Sequence, residues 1–306
     1  MIKYVMTAAA LKLFSTSPQT RRVYRRIGNV LDQGRRIRDG LPIYYVDRAR
    51  KILESCAKHH AIQAGDRLLE VGTGWLHWES MIIRLFYDVE ITMFDVWDNR
   101  YFGACKLYLA QFERAMDKEL NVAPMRLEHA HKLLKAILKA SSFDEIYKLL
   151  GLQYVINPRG ALEQFQDESF ALIFSCDVLE HLQKDILPRV TQNFHRLLKP
   201  GGYSIHKIDP SDHLYYYDTS VSQKNYLRYS DRVWRRYFEN RVQYINRIQR
   251  AEWLDLFYGA GFELLEEESV TVDIGSIKIA KDYQNLDEQD LQCVTLTVIH
   301  RKMQNS

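Results

Sequence analysis

Cysteine is scarce in this 306-residue chain: four residues (Cys56, Cys105, Cys176, Cys293), far apart and with no CxxC pair. That spacing excludes a disulfide framework and a cysteine-based zinc module, and it suits isolated thiols in a reducing compartment. Glycine (14) and proline (7) are few, which excludes collagen-like and low-complexity chains. No run approaches the roughly 18 apolar residues a membrane-spanning helix needs. The apolar start, residues 1–14, is broken by Lys12 and followed by no convincing cleavage site, so we read the chain as cytoplasmic. A large net charge is missing too, at +3. With 46% hydrophobic and 26% charged residues, the composition is that of a globular protein, long enough for about two domains or one domain with insertions.

The small net charge conceals an uneven distribution. Residues 1–65 carry 13 Lys and Arg against four acids, a local +9 that leaves −6 on residues 66–306. We expect residues 1–60 to form a basic helical cap, either as solvated helix faces or facing an anionic ligand or a membrane surface from the periphery.

Along the remainder, helical and strand periods alternate. Residues 44–57 repeat apolar positions at helical spacing, and residues 67–71 form a short apolar run ending at a glycine turn. A buried helix over 78–87 and a strand over 89–94 follow, making a βαβ unit and hence a parallel sheet. Residues 99–150 read as a helical insertion. Strands are expected at 154–156, 170–176, 203–208, 262–265 and 293–299, with helices at 185–198 and 253–260 between them, and Lys199-Pro200-Gly201-Gly202 as a turn. The expectation is a doubly wound α/β domain over residues 61–306, with a mostly parallel seven-stranded sheet, and an aromatic-rich lid at 213–250 suited to stacking on sugars.

The first strand ends in Glu70-Val71-Gly72-Thr73-Gly74-Trp75. Small residues there let backbone amides approach a ligand at a helix N-terminus, and Glu70 ends the strand pointing a carboxylate toward it. A dinucleotide fingerprint needs glycine three residues after the second glycine, where this chain has His77. Asp95 ends the second strand and is available for ribose hydroxyls. The pattern suits an adenosine ligand without a pyrophosphate and disfavours a nicotinamide-dependent dehydrogenase.

Four motifs stand in one order: LLEVGTG at 68–74, the acid Asp95, SFALIFSCDVLEHL at 169–182 and LLKPGG at 197–202, with AGFELLE following at 260–266. Together they resemble the class I S-adenosylmethionine-dependent methyltransferases, over about residues 60–300. Within that family, HKIDPSDH at 206–213 and the stretch 229–247 look like methyltransferases of polysaccharide and cell-envelope biosynthesis. The resemblance implies S-adenosyl-L-methionine as cofactor. Glu70, Gly72, Thr73 and Gly74 would hold its methionine end and Asp95 its ribose. Val96 and Trp97 would pack on the adenine, and Cys176 and Asp177 would border the methionine moiety and the transferred methyl. The family's acid after the third strand is absent, with Arg159 near its place.

Methyl transfer from a sulfonium needs a nucleophile in line with the sulfur–methyl bond, and positioning alone supplies on the order of 7–11 kcal/mol in well-oriented cases. For a hydroxyl nucleophile a base helps, and histidine is matched to neutral pH. We expect His213 as base, oriented by Asp212 or Asp209, with His181 as a further candidate. No metal is assigned. The acceptor is expected to be a hydroxyl of a sugar, a polysaccharide precursor or another small polar molecule. The alternatives are an amine or aromatic natural product, or a non-catalytic scaffold of the same fold. The −6 of residues 66–306 argues against a nucleic-acid partner, and nothing in the sequence defines an oligomeric state.

Overall fold

The computed structural model describes residues 1–275 and 277–303. In chain order the elements are α1 (Ile2–Phe14), α2 (Pro18–Asp39), α3 (Ile43–Lys58), β1 (Arg67–Val71), α4 (Trp78–Phe86), β2 (Glu90–Asp95), α5 (Phe102–Glu119), α6 (Pro124–Ile137) and α7 (Phe143–Leu150). There follow β3 (Leu152–Ile156), β4 (Phe170–Cys176), α8 (Leu187–Leu197), β5 (Leu198–Ile208), α9 (Asp231–Tyr237), α10 (Arg250–Gly259), β6 (Phe262–Thr271), α11 (Glu288–Gln292) and β7 (Cys293–Lys302). The strands form one seven-stranded sheet in the order β3-β2-β1-β4-β5-β7-β6. The doubly wound expectation holds. The chain divides into two compact units. One comprises Met1–Val30, Cys176–Gln192 and His206–His300, and the other Leu31–Ser175, Asn193–Ile205 and Arg301–Ser306.

In the second of these, β2, β1 and β4 lie side by side in parallel, with β3 on the outer edge of β2. The register pairs Leu68 with Ile91 and with Leu172, and Asp95 with Ile156. Phe170, Leu172, Ile173 and Phe174 are buried along β4, as an apolar run must be when helices cover both faces of a parallel strand. The expected insertion is helical, as α5, α6 and α7. The last is fixed at both ends: Ser142 accepts the Glu145 amide at its start, and Gly151 closes it at φ 65°, a left-handed conformation that costs glycine little. α3 packs on α4 and α5, and α4 packs on α6 and α7.

One expectation fails locally. The Lys199–Gly202 stretch is not a separate turn before the strand; β5 starts at Leu198 and runs through it. A Cβ on Gly202 would stand 2.9 Å from the Lys199 carbonyl oxygen and 3.0 Å from that of Ala171. The missing side chain is what lets these backbones pass, and it reads in the sequence like an ordinary turn glycine.

The other unit has its own core. Tyr4, Ala8 and Leu11 of α1 pack with Leu214, Tyr226, Leu227, Trp234, Phe238 and Ile245. This corrects the stacking lid: Tyr226, Trp234, Phe238 and Trp253 are buried, while Tyr216 and Tyr237 remain exposed. Aromatic rings bury 150–250 Å² apiece, which explains how a segment with little regular structure holds a core. Polar contacts pin α1 into it. The Tyr4 hydroxyl donates to Asp212 Oδ2 at 2.7 Å, and the Tyr4 amide donates to Asp218 Oδ2 at 2.9 Å. The second contact places a carboxylate on the amide-rich start of a helix that lacks a capping side chain.

Candidate functional site

The glycine turn after β1 sits in the Leu31–Ser175 unit. Gly72 and Gly74 hold φ of 75° and 66°, and the space where a Gly74 Cβ would point is open. The turn is anchored on β2, because the Gly72 amide donates to the Phe94 carbonyl at 2.8 Å. Asp95 reads the same turn: its Oδ2 accepts the Gly74 amide at 3.2 Å and its Oδ1 the Val96 amide at 2.7 Å. Each carboxylate oxygen thus keeps acceptor capacity. Burial raises the Asp95 pKa against the pull of those amides. The buried Thr73 Oγ1 makes no hydrogen bond, an opening that a polar ligand would fill.

Glu70 is more deeply set than a cleft-facing acid. It is 2% exposed, accepts from the Ser80 hydroxyl in the first turn of α4, and is pushed up to about 8 by burial and by the charge of Glu79. Glu79 in turn takes a two-pronged contact from Arg48 at 2.5 and 2.6 Å. His77, whose presence excluded the dinucleotide pattern, adopts φ 52° as the residue before α4, where glycine would be unstrained. Its Nδ1 lies 2.9 Å from the Tyr147 hydroxyl, the ring stacks on Tyr147 and Phe143, and burial lowers its pKa to about 3. Val96 is half-buried beside Gly160, and Trp97 is 44% exposed. Sequence reasoning missed Arg36. Its guanidinium lies 4.4 Å over the Trp75 ring and bonds the Tyr45 hydroxyl, bringing α2 onto the turn; the local sequence around Arg36, a basic helix, carries no sign of it.

The remaining expected residues lie in the other unit. Asp177, just past β4, adopts φ 55°. Its amide donates to the Lys207 carbonyl, and its Oδ1 pairs with Lys207 Nζ at 2.6 Å. Half-buried Cys176 points its thiol at Asp177 Oδ2, 3.6 Å away. Beyond them, Leu179–His181 forms a single helical turn. Glu180 is 2% exposed and neither of its carboxylate oxygens has a partner; burial, then the charges of Asp177 and Asp209, push its pKa well up. His181 Nδ1 lies 2.7 Å from the Tyr244 carbonyl oxygen. The rings of His181 and His213 meet edge-on at 5.0 Å.

The two carboxylates offered to His213 separate cleanly. Asp209 Oδ2 stands 3.4 Å from His213 Nε2 and also accepts from the Tyr216 hydroxyl at 2.9 Å. Burial draws the Asp209 carboxyl upward, but His213 and the Ser211 bonds outweigh it and hold the group well below the usual carboxylate range. Asp212 is instead committed to the fold. It takes the Tyr4 hydroxyl and the Leu214 amide, is fully buried, and is pushed up to about 6 by that burial. Of the two, Asp209 is the carboxylate that lies beside the His213 ring, while Asp212 is held by Tyr4 and Leu214.

An open sheet in this strand order, a glycine turn after β1 and an acid at the end of β2 define the class I methyltransferase fold. The comparison with known families agrees: the methyltransferase domain matches residues 44–267, and the chain belongs to that family. No curated protein matches it. Among solved structures, phosphoethanolamine N-methyltransferase 2 of Haemonchus contortus, in complex with S-adenosyl-L-methionine, is 15% identical at a TM-score of 0.47, covering 84% of this chain and 53% of its own. The chain therefore spans about half the length of that protein. A SAM-dependent methyltransferase of Methanosarcina mazei is 12% identical at 0.48, covering 81% of this chain and 98% of its own. The [4+2]-cyclase SpnF is 15% identical at 0.46, covering 84% and 81%.

Proposed function

We propose that the chain transfers a methyl group from S-adenosylmethionine to a hydroxyl of a sugar or another small polar acceptor. The observation that carries the cofactor is the Asp95 carboxylate tied to the Gly74 amide, beside an orphaned Thr73 hydroxyl. Bidentate acceptance from the vicinal ribose hydroxyls suits the two oxygens of Asp95. Gly72 and Gly74 leave room for the methionine end, with Glu70 behind them. Val96 and Trp97 are assigned to the adenine face, and Cys176 and Asp177 to the border of the methyl-donating end. When bound, S-adenosylmethionine supplies an electrophilic methyl on a sulfonium.

The acceptor hydroxyl must lose its proton as its oxygen attacks. His213 is assigned that proton, with the Asp209 carboxylate 3.4 Å from its ring. His181, its edge-on neighbour, is the further candidate for that role. A radiolabelled methyl donor, offered with fractions of cell extract, tests the reading: label moving into a hydroxyl-bearing metabolite supports it, and label confined to amines would replace the acceptor class.

The basic N-terminus is assigned a peripheral contact with an anionic lipid surface. Residues 1–30 hold six Lys and Arg and no acid. Ile2, Val5, Met6 and Leu13 form an exposed stripe on α1, opposite the buried Tyr4, Ala8 and Leu11. Apolar residues flanked by cations are the pattern of interfacial helices. Sedimentation with phosphatidylglycerol vesicles but not phosphatidylcholine ones, lost in Ile2→Glu/Met6→Glu, checks it; equal binding to both vesicle types would refute it.

A further inference from the structure

Glu180, His181 and His213 lie together within one unit, and we propose that they form a binding site for a divalent first-row metal cation, Mn²⁺ or Zn²⁺ in class. One ligand-capable atom from each lies within 4.8 Å of the other two. Glu180 gives the strongest reason. Its carboxylate is 98% removed from solvent, yet neither oxygen takes a hydrogen bond from another residue, an arrangement that folded proteins avoid unless something else satisfies the group.

The histidines are prepared in the manner of metal ligands. His181 Nδ1 faces the Tyr244 carbonyl oxygen at 2.7 Å, so Nδ1 carries the proton and Nε2 presents its lone pair, 4.0 Å from Glu180 Oε1. A backbone carbonyl behind a histidine is a usual outer partner of a metal-bound imidazole. His213 Nε2 makes no hydrogen bond and has Asp209 3.4 Å away. Two further acids nearby are already engaged: Asp177 is paired with Lys207, and Asp212 is committed to Tyr4 and Leu214. Ligands held about 2.0–2.2 Å from such a cation lie about 3–3.6 Å apart, so the three groups need close by about 1–2 Å. The His181 side chain is 43% exposed, which leaves a route for entry and coordination positions open to a second ligand. Two imidazoles with one carboxylate select a transition cation over magnesium or calcium, which prefer all-oxygen sites.

The consequence for chemistry rests on the methyl-transfer reading. An acceptor hydroxyl on the open face of the cation is acidified by it. The O–H bond breaks with its proton passing to water, the oxygen bonds the methyl carbon, and the carbon–sulfur bond breaks to leave S-adenosylhomocysteine. His213 then spends its lone pair on the cation, and the cation takes over the work assigned above to the free imidazole.

The test uses the full chain, dialysed against chelator and titrated with MnCl₂ and then ZnCl₂ by calorimetry, with the Mn²⁺ electron paramagnetic resonance signal as a second readout. One site per chain is expected, with affinity reduced at least tenfold in Glu180→Gln and in His181→Ala. The His181 variant alters a partly exposed ring and decides the matter if the Glu180 variant does not fold. Absence of binding, or binding that neither substitution changes, overturns the proposal. S-adenosylhomocysteine titrated into the same samples separates the two readings: ligand bound without metal removes only the cation site, and metal bound without ligand removes only the methyl-transfer reading.

Discussion

Replacing Asp95 with alanine deletes a carboxylate that is 8% exposed and faces the glycine turn. Its oxygens each accept one backbone amide, from Gly74 and Val96, and each retains capacity for one ribose hydroxyl. Hydrogen bonds to a charged group contribute about 1.5–3 kcal/mol each. Two at the lower bound give about 3 kcal/mol, or roughly a 10²-fold loss of affinity at 1.4 kcal/mol per decade. Asp95→Asn keeps one acceptor, so it should lose about half of that, roughly tenfold. Calorimetric titration with S-adenosylhomocysteine measures both variants, and a urea melt of each establishes that the turn still folds without its acceptor. If both folded variants bind within about threefold of the parent, Asp95 does not hold the ribose, and the cofactor geometry argued from it is wrong.

Further predictions follow from the same geometry. His213→Ala should lower turnover by ~10²–10⁴-fold while leaving S-adenosylhomocysteine affinity nearly unchanged; equal loss in both would show that the residue shapes the cofactor pocket instead. Gly202→Ala forces a Cβ to within 3.0 Å of two carbonyl oxygens and should destabilise the fold by about 1–3 kcal/mol in urea melts. His206 is fully buried and held near 3 by that burial and by His300, so it is neutral in the folded chain while the unfolded chain takes up its proton near pH 6.5. Its contribution is therefore lost as pH falls from 6.5 toward 3, about 1.4 kcal/mol by pH 5.5. Glu70, raised to about 8, acts oppositely, favouring the fold as pH falls from 8 toward 4.5. The clean measurement is the shift in stability on going from pH 7.5 to 5.5, which should favour the fold by about 1.4 kcal/mol more in His206→Gln than in the parent.

Local signals in the sequence were read well where one physical cause dominates. The run FALIFSC gives β4 residue for residue, because a strand buried on both faces favours a near-continuous apolar run. The glycine turn and Asp95 were legible because a βα turn confines its chemistry to a few consecutive positions. Contacts between distant segments were not. Tyr4 meets Asp212 across 208 residues, so no local pattern shows that α1 fastens the HKIDPSDH loop or that Asp212 is withdrawn from the imidazole. The aromatic-rich stretch misled for a related reason: rings that would suit a sugar platform equally suit a core, and burial decides between them. Lys207 stands in plain view in the sequence, yet its pairing with Asp177 depends on where β4 and β5 end.

The central claim is that this chain binds an adenosine-sulfur cofactor at the turn after β1. The measurement that reaches it most directly is equilibrium titration of the purified chain with S-adenosylhomocysteine and, in parallel, with NAD. The account predicts one site for S-adenosylhomocysteine, weakened about 10²-fold in Asp95→Ala, and no binding of NAD, since His77 occupies the position where a pyrophosphate-cradling loop needs glycine. Tight binding of NAD with none of S-adenosylhomocysteine would contradict it.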